Sequence, residues 1–98
     1  MNIQNQSPEK LWWMLKTMLM IRRVEEEINN LFARGQIFGT THLYAGQEAV
    51  AAGACYPLRR DDYVASTHRG HGHAIAKGVD VRQLAAELLG KDEGMCRG

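Results

Sequence analysis

The residues with chemical potential are concentrated between Ser66 and His73, where Ser-Thr-His-Arg-Gly-His-Gly-His places three histidines, one arginine and two glycines in eight residues. A polar turn of this composition suits an anion. Glycines let the backbone approach a ligand, a following helix N-terminus presents free N–H groups, and Arg69 carries the planar fork that pairs with phosphate. A phosphate or diphosphate site is one reading. The other is a solvated turn in which Arg69 pairs with Asp61 or Asp62. The spacing His68-x-x-His71 also matches two metal ligands on one helical face, with His42 joining from a distance. Against a metal, the turn holds too many glycines for a rigid ligand pair, and no acid or cysteine lies in it at ligand spacing.

Four other residues have plain structural readings. His73 fits a helix surface or the edge of a core. His42, in Thr-His-Leu-Tyr-Ala-Gly-Gln-Glu-Ala, taken alone reads as a structural residue at a turn into a helix. Glu48 in the first turn of that helix complements its dipole. Cys55 reads as a small hydrophobe.

These residues must be positioned by four segments. Ser7-Pro8-Glu9 is a helix start, with Ser as cap, Pro in the first turn and an acid at the positive end. Apolar residues then recur at Met14, Met18, Ile21, Val24, Ile28 and Leu31, which predicts a long amphipathic helix ending near Gly35. Arg22 with Glu26 and Arg23 with Glu27 are expected i,i+4 pairs on its wet side. Trp12, Trp13, Leu15 and Leu19 make its first half apolar nearly all round, so that half wants cover on more than one side. Gln47 to Tyr56 reads as a second helix of small residues, stopped by Pro57. Tyr63-Val64-Ala65 is a short strand candidate. A last helix is capped by Asp80, carries Val81, Leu84, Ala85, Leu88 and Leu89 on one face, and closes at Gly90, with Glu87 four residues before Lys91.

Composition narrows the function classes. Ninety-eight residues that are 45% hydrophobic and 23% charged make an ordinary globular composition, not a disordered one. Twelve basic and eleven acidic side chains leave a formal charge of +1, which removes the electrostatic case for nucleic acid. Two cysteines without CxxC spacing make no disulfide framework, so a reducing compartment is expected. The apolar run Leu11–Ile21 is too short to span a bilayer and lacks the flanks of a secretory signal, so a cytoplasmic location without membrane contact is expected.

The order of segments carries a resemblance. MIRRVEEEINNLFARGQI, then THLYAGQEA, then STHRGHGHAIAKGVD and an LAAELLGK helix resemble the start of the alpha subunit in the thiamine diphosphate-dependent first component of 2-oxo acid dehydrogenase complexes. The likeness runs from about Leu19 to Gly98. Within that superfamily it is greatest to acetoin dehydrogenase alpha subunits; pyruvate and branched-chain relatives usually have tyrosine where this chain has His68. The resemblance implies an α/β fold, a doubly wound parallel sheet flanked by helices, of which residues 1–98 are an N-terminal and mostly helical portion. It implies that His42 lies beside the thiazolium and contacts the substrate as the catalytic residue, and that His68 and Arg69 hold the diphosphate.

The implied chemistry is cleavage of acetoin, or decarboxylation of a 2-oxo acid, with transfer of the acyl group to a lipoyl carrier. The implied partners are a beta subunit, in an alpha2-beta2 heterotetramer, and a lipoyl-bearing acyltransferase. Magnesium ligands belong to a motif that relatives carry further along, so the chain is expected to be a piece of a longer subunit or a truncated product, inactive alone. An alternative is a non-catalytic interaction module docking through the apolar first helix.

Overall fold

Local signals decide where the helices begin and end. Ser7 Oγ accepts the amide of Lys10 at 3.2 Å, and the first helix, α1, runs Pro8–Ala33. It stops where Gly35 takes φ +74°, so that the amides of Gly35 and Gln36 turn back onto the carbonyls of Phe32 and Leu31. Helix α2 spans Glu48–Cys55, one residue shorter at each end than the sequence predicts. Helix α3, His71–Ala76, is a six-residue helix that the sequence reading does not anticipate. Asp80 caps α4, Val81–Leu88, by accepting the amides of Arg82 and Gln83. Gly90 at φ +71° closes it with the same pair of reversed bonds, from Gly90 to Glu87 and from Lys91 to Ala86. The structure is a computed structural model and describes residues 2–98.

The 26 residues of α1 make a rod of about 39 Å, and this sets the long axis of a molecule measuring 46 × 27 × 21 Å. Helices α2 and α3 pack against α1 and against each other. The alanines of α2 permit the close approach: Ala51 and Ala52 are sealed, and Cys55 is buried beside them. Ile21, Tyr44, Ile75, Ala76 and Leu84 complete a core drawn from every helix and from the loop before α2. The predicted stripe of α1 holds, with Ile21 and Ile28 buried and Val24 packed on the core. Trp12, Leu15 and Leu19 on its first half stay exposed.

Three expectations need correction. Residues 63–65 form no strand, and none exists among the described residues; Tyr63 is fully exposed, because an extended segment without a neighbouring strand has nowhere to place its N–H and C=O groups except water. The doubly wound sheet is therefore not shown in these residues, which are helical. The pairs Arg22–Glu26 and Arg23–Glu27 do not form. Arg22 instead binds Glu48 of α2, and Glu27 lies 3.6 Å from Arg34. Glu87 does not pair with Lys91 either; its Oε1 accepts the amides of Cys96 at 2.6 Å and Gly98 at 3.1 Å, folding the last residues back over α4. No helix among the described residues is long and apolar enough to cross a membrane.

Candidate functional site

Two loops meet at the site. One leads from α1 into α2 and carries His42; the other precedes α3 and carries His68 and Arg69. They are tied by Arg69, whose Nη1 donates to the carbonyl of Leu43 at 2.6 Å. That tie corrects the solvated-turn reading, because Asp62 is taken by Arg59 at 3.2 Å and Arg69 pairs with neither aspartate. With the loops so joined, the rings of His42 and His68 stand edge to face with centroids 4.7 Å apart. Both line a cleft of about 480 Å³, together with Thr40, Thr41 and His71. The volume lies in the range of small-molecule sites. All three residues singled out from the sequence are thus brought together, although 26 positions separate His42 from His68.

Behind this wall lies a layer that sequence reasoning missed. Glu25, in mid-α1, is fully buried, and its Oε1 lies 3.0 Å from His71 Nδ1. A carboxylate oxygen accepts, so Nδ1 carries the proton. The signal that could have found it is position: Glu25 falls four residues after Ile21 and three before Ile28, on the apolar stripe itself. Tyr44 was also missed. It is 2% exposed, and its hydroxyl meets His73 Nε2 at 2.9 Å, while Ser66 Oγ occupies His73 Nδ1. Burial holds the Tyr44 phenol above its usual range. Gly72 is packed on the Tyr44 ring so tightly that a Cβ there would come within 2.4 Å of Cδ1. His73 accordingly sits at the core edge, as its type and place predict.

The electrostatics around the loops are mostly internal. The hydrogen bond from Arg22 holds the Glu48 carboxyl below the ordinary carboxylate range, with the backbone amides at the start of α2 acting in the same sense. Glu48 therefore does more than complement a helix dipole: it pins α2 to α1. Burial pushes the Cys55 thiol up, in keeping with a structural role. No three His, Cys, Asp or Glu side chains converge as a metal site among the described residues. A separate groove of about 230 Å³ between α1 and α4 is lined mostly by apolar side chains, Val24, Ile28, Leu31 and Leu84 among them, together with Arg23 and Glu27.

Comparison with known proteins bears directly on this arrangement. The profile of the dehydrogenase E1 component matches residues 16–98. The chain belongs to that family. It is 52% identical over 90 residues to the alpha subunit of an acetoin:2,6-dichlorophenolindophenol oxidoreductase from Bacillus subtilis, an alignment covering 92% of this chain and 27% of the relative. The corresponding subunit from Cupriavidus necator is 48% identical over the same shares. A pyruvate dehydrogenase E1 component subunit alpha from Porphyra purpurea is 43% identical over 96% of this chain and 27% of its own length. This family member thus spans about a quarter of the length of the curated relatives it matches. Both acetoin and pyruvate enzymes stand among those relatives.

Proposed function

We propose that residues 1–98 are the N-terminal portion of the thiamine diphosphate-binding domain of an alpha subunit, ending ahead of its magnesium-binding motif, in an oxidoreductase that cleaves acetoin and passes the acyl group to a lipoyl carrier. The observation that carries the reading is that His42 and His68 line one cleft with their rings edge to face, while Arg69, next to His68, is tied to the carbonyl of Leu43, next to His42. Greater identity to the acetoin relatives than to the pyruvate relative supports the substrate class. So does His68, which stands where pyruvate and branched-chain enzymes usually have tyrosine. Pyruvate or a branched-chain 2-oxo acid is the alternative substrate.

The donors present fit a diphosphate ligand. The Arg69 guanidinium has N–H groups beyond the one given to Leu43, and Glu87, a carboxylate lining the cleft, has one oxygen engaged by two backbone amides. In this reading Arg69 and His68 hold the diphosphate, and His42 faces the thiazolium and the substrate carbonyl. When bound, thiamine diphosphate supplies the carbon–carbon bond-breaking chemistry; the protein orients it and keeps competing groups away. Magnesium takes its ligands from outside these residues, and a beta subunit completes the site within a heterotetramer. The whole subunit has the doubly wound parallel sheet of the family, works in the cytoplasm, and delivers to a lipoyl-bearing acyltransferase.

The test is binding without turnover. Titration of the 98-residue chain with thiamine diphosphate should shift the ring signals of His42 and His68 in NMR spectra, and Arg69→Ala should weaken the binding about tenfold, the loss of one charge-assisted hydrogen bond. At millimolar cofactor, enough to fill a site weakened by the missing magnesium ligands and beta subunit, absence of any shift in both rings sinks the reading. Turnover of acetoin by the chain with cofactor and magnesium alone would overturn the claim that it is inactive by itself.

A second reading rests on a different observation. Trp12, Leu15 and Leu19 remain 70%, 48% and 56% exposed along one side of α1, so the chain is also read as an interaction module docking through that row. A monomer on size-exclusion chromatography, with no affinity for a beta subunit, disposes of this second reading.

A further inference from the structure

Glu25 is a charged group that the fold seals completely, at 0% exposed, with His71 Nδ1 on one oxygen and nothing on the other. Removing a carboxylate from water is costly, and one hydrogen bond does not recover the cost. A leucine would fill the same space in α1 without it. The carboxylate is therefore explained by what it does to its partner and not by core stability.

What it does is orient an imidazole. With the Nδ1 proton directed at Glu25, His71 Nε2 is the ring nitrogen left free. It has no partner among the described residues, and it is not among the polar atoms sealed from solvent. His71 lines the cleft that holds His42 and His68. His73, two residues on, is the contrast: Ser66 and Tyr44 take both of its nitrogens, and it has nothing left to offer a ligand.

We propose that His71 is a third ligand-binding imidazole of the cleft, making a hydrogen bond through Nε2 to the same ligand that His68 and Arg69 hold, and that Glu25 is its positioning residue. The inference rests on the thiamine diphosphate reading for the identity of that ligand. The arrangement parallels carboxylate–histidine pairs elsewhere, in which a buried acid selects the tautomer and so decides which nitrogen faces the site.

The tautomer gives a readout that a merely structural role would not move. In ring 15N–1H spectra of the 98-residue chain, His71 should show the proton on Nδ1. Glu25→Leu removes the acceptor and should return it to the commoner Nε2–H form, whereas Glu25→Gln keeps an acceptor oxygen and should restore the Nδ1–H form. Thiamine diphosphate should shift His71 together with His42 and His68. Glu25→Leu and His71→Ala should each weaken its binding about three- to tenfold, the loss of one hydrogen bond. A parent spectrum with the proton on Nε2 overturns the positioning role, and needs no variant to fold. Shifts at His42 and His68 with none at His71, or full affinity in His71→Ala, overturn the inference and leave the cofactor reading standing. Silence at all three rings overturns both.

Discussion

Replacing Gly72 with alanine would drive a methyl group into the ring of Tyr44. A Cβ built at Gly72 lies 2.4 Å from Tyr44 Cδ1 and 2.8 Å from Cε1 and Cγ, where carbon atoms rest about 3.5–4.0 Å apart. The ring has little room to yield: Tyr44 is 2% exposed, packed into the core with Ile21 and Ile75, and tied by its hydroxyl to His73 Nε2 at 2.9 Å. Two terms oppose each other. Alanine in a helix gains roughly 0.5–1 kcal/mol over glycine, and overpacking a filled core costs about 1–3 kcal/mol. Displacement of the ring also breaks the bond to His73, worth about 1 kcal/mol. The expected net effect is a loss of about 1–3 kcal/mol. For a chain of this size that corresponds to a melting temperature lowered by roughly 5–20 °C. Thermal unfolding followed by far-ultraviolet circular dichroism measures it. Gly53 in α2 is the control, because a Cβ there meets nothing within 4 Å, so Gly53→Ala should raise stability by about 0.5–1 kcal/mol. In a Tyr44→Ala background the Gly72→Ala penalty should vanish. If Gly72→Ala melts at or above the parent temperature, the packing argument is wrong.

Three further outcomes are expected. Glu48 titrates below its ordinary value of 4.5 because Arg22 binds its ionised form, so its contribution is complete above that pH and is lost as pH falls through the lower folded-state value. Arg22→Gln should therefore make stability less steep in pH below about 4.5 than in the parent; equal slopes would refute the coupling of α1 to α2 through this pair. Cys96 is exposed, and Cys55 is buried with its thiol pushed up. A thiol reagent at neutral pH should thus modify one site quickly and the second only on unfolding, and two fast sites on the native chain would contradict the packing of α2. Asp80→Ala removes the side chain that accepts two amides at the start of α4. It should cost about 1 kcal/mol in urea unfolding, and no change would show that the cap is redundant.

Much of the site was legible because its parts are local. Ser-Thr-His-Arg-Gly-His-Gly-His announces itself by residue type, whereas His42 is singled out only through the resemblance; the structure puts His42 and His68 at one cleft and ties Arg69 to Leu43 beside them. The layer behind was not legible in the same way. Within Arg22-Arg23-Val24-Glu25-Glu26-Glu27 five charges look alike, yet successive residues point about 100° apart around the helix. One of the five is consequently sealed while Arg22, Arg23, Glu26 and Glu27 stay wet. Pairing by i,i+4 spacing failed for Arg22 because a better partner on α2 lies 26 positions away in sequence.

The sequence by itself determined α1 and α4 with their ends, since a capping oxygen, a proline in the first turn or a glycine just past the last turn acts within a few residues. It also determined the family, through motifs in a set order. Only the tertiary structure decided that Glu25 meets His71 across 46 positions, that Arg69 fastens to Leu43 and not to an aspartate, and that residues 63–65 stay unpaired. Those outcomes depend on which surface packs against which, and on whether a hydrogen-bonding edge finds a neighbour. Both are properties of the assembled helices, which no window of the chain contains.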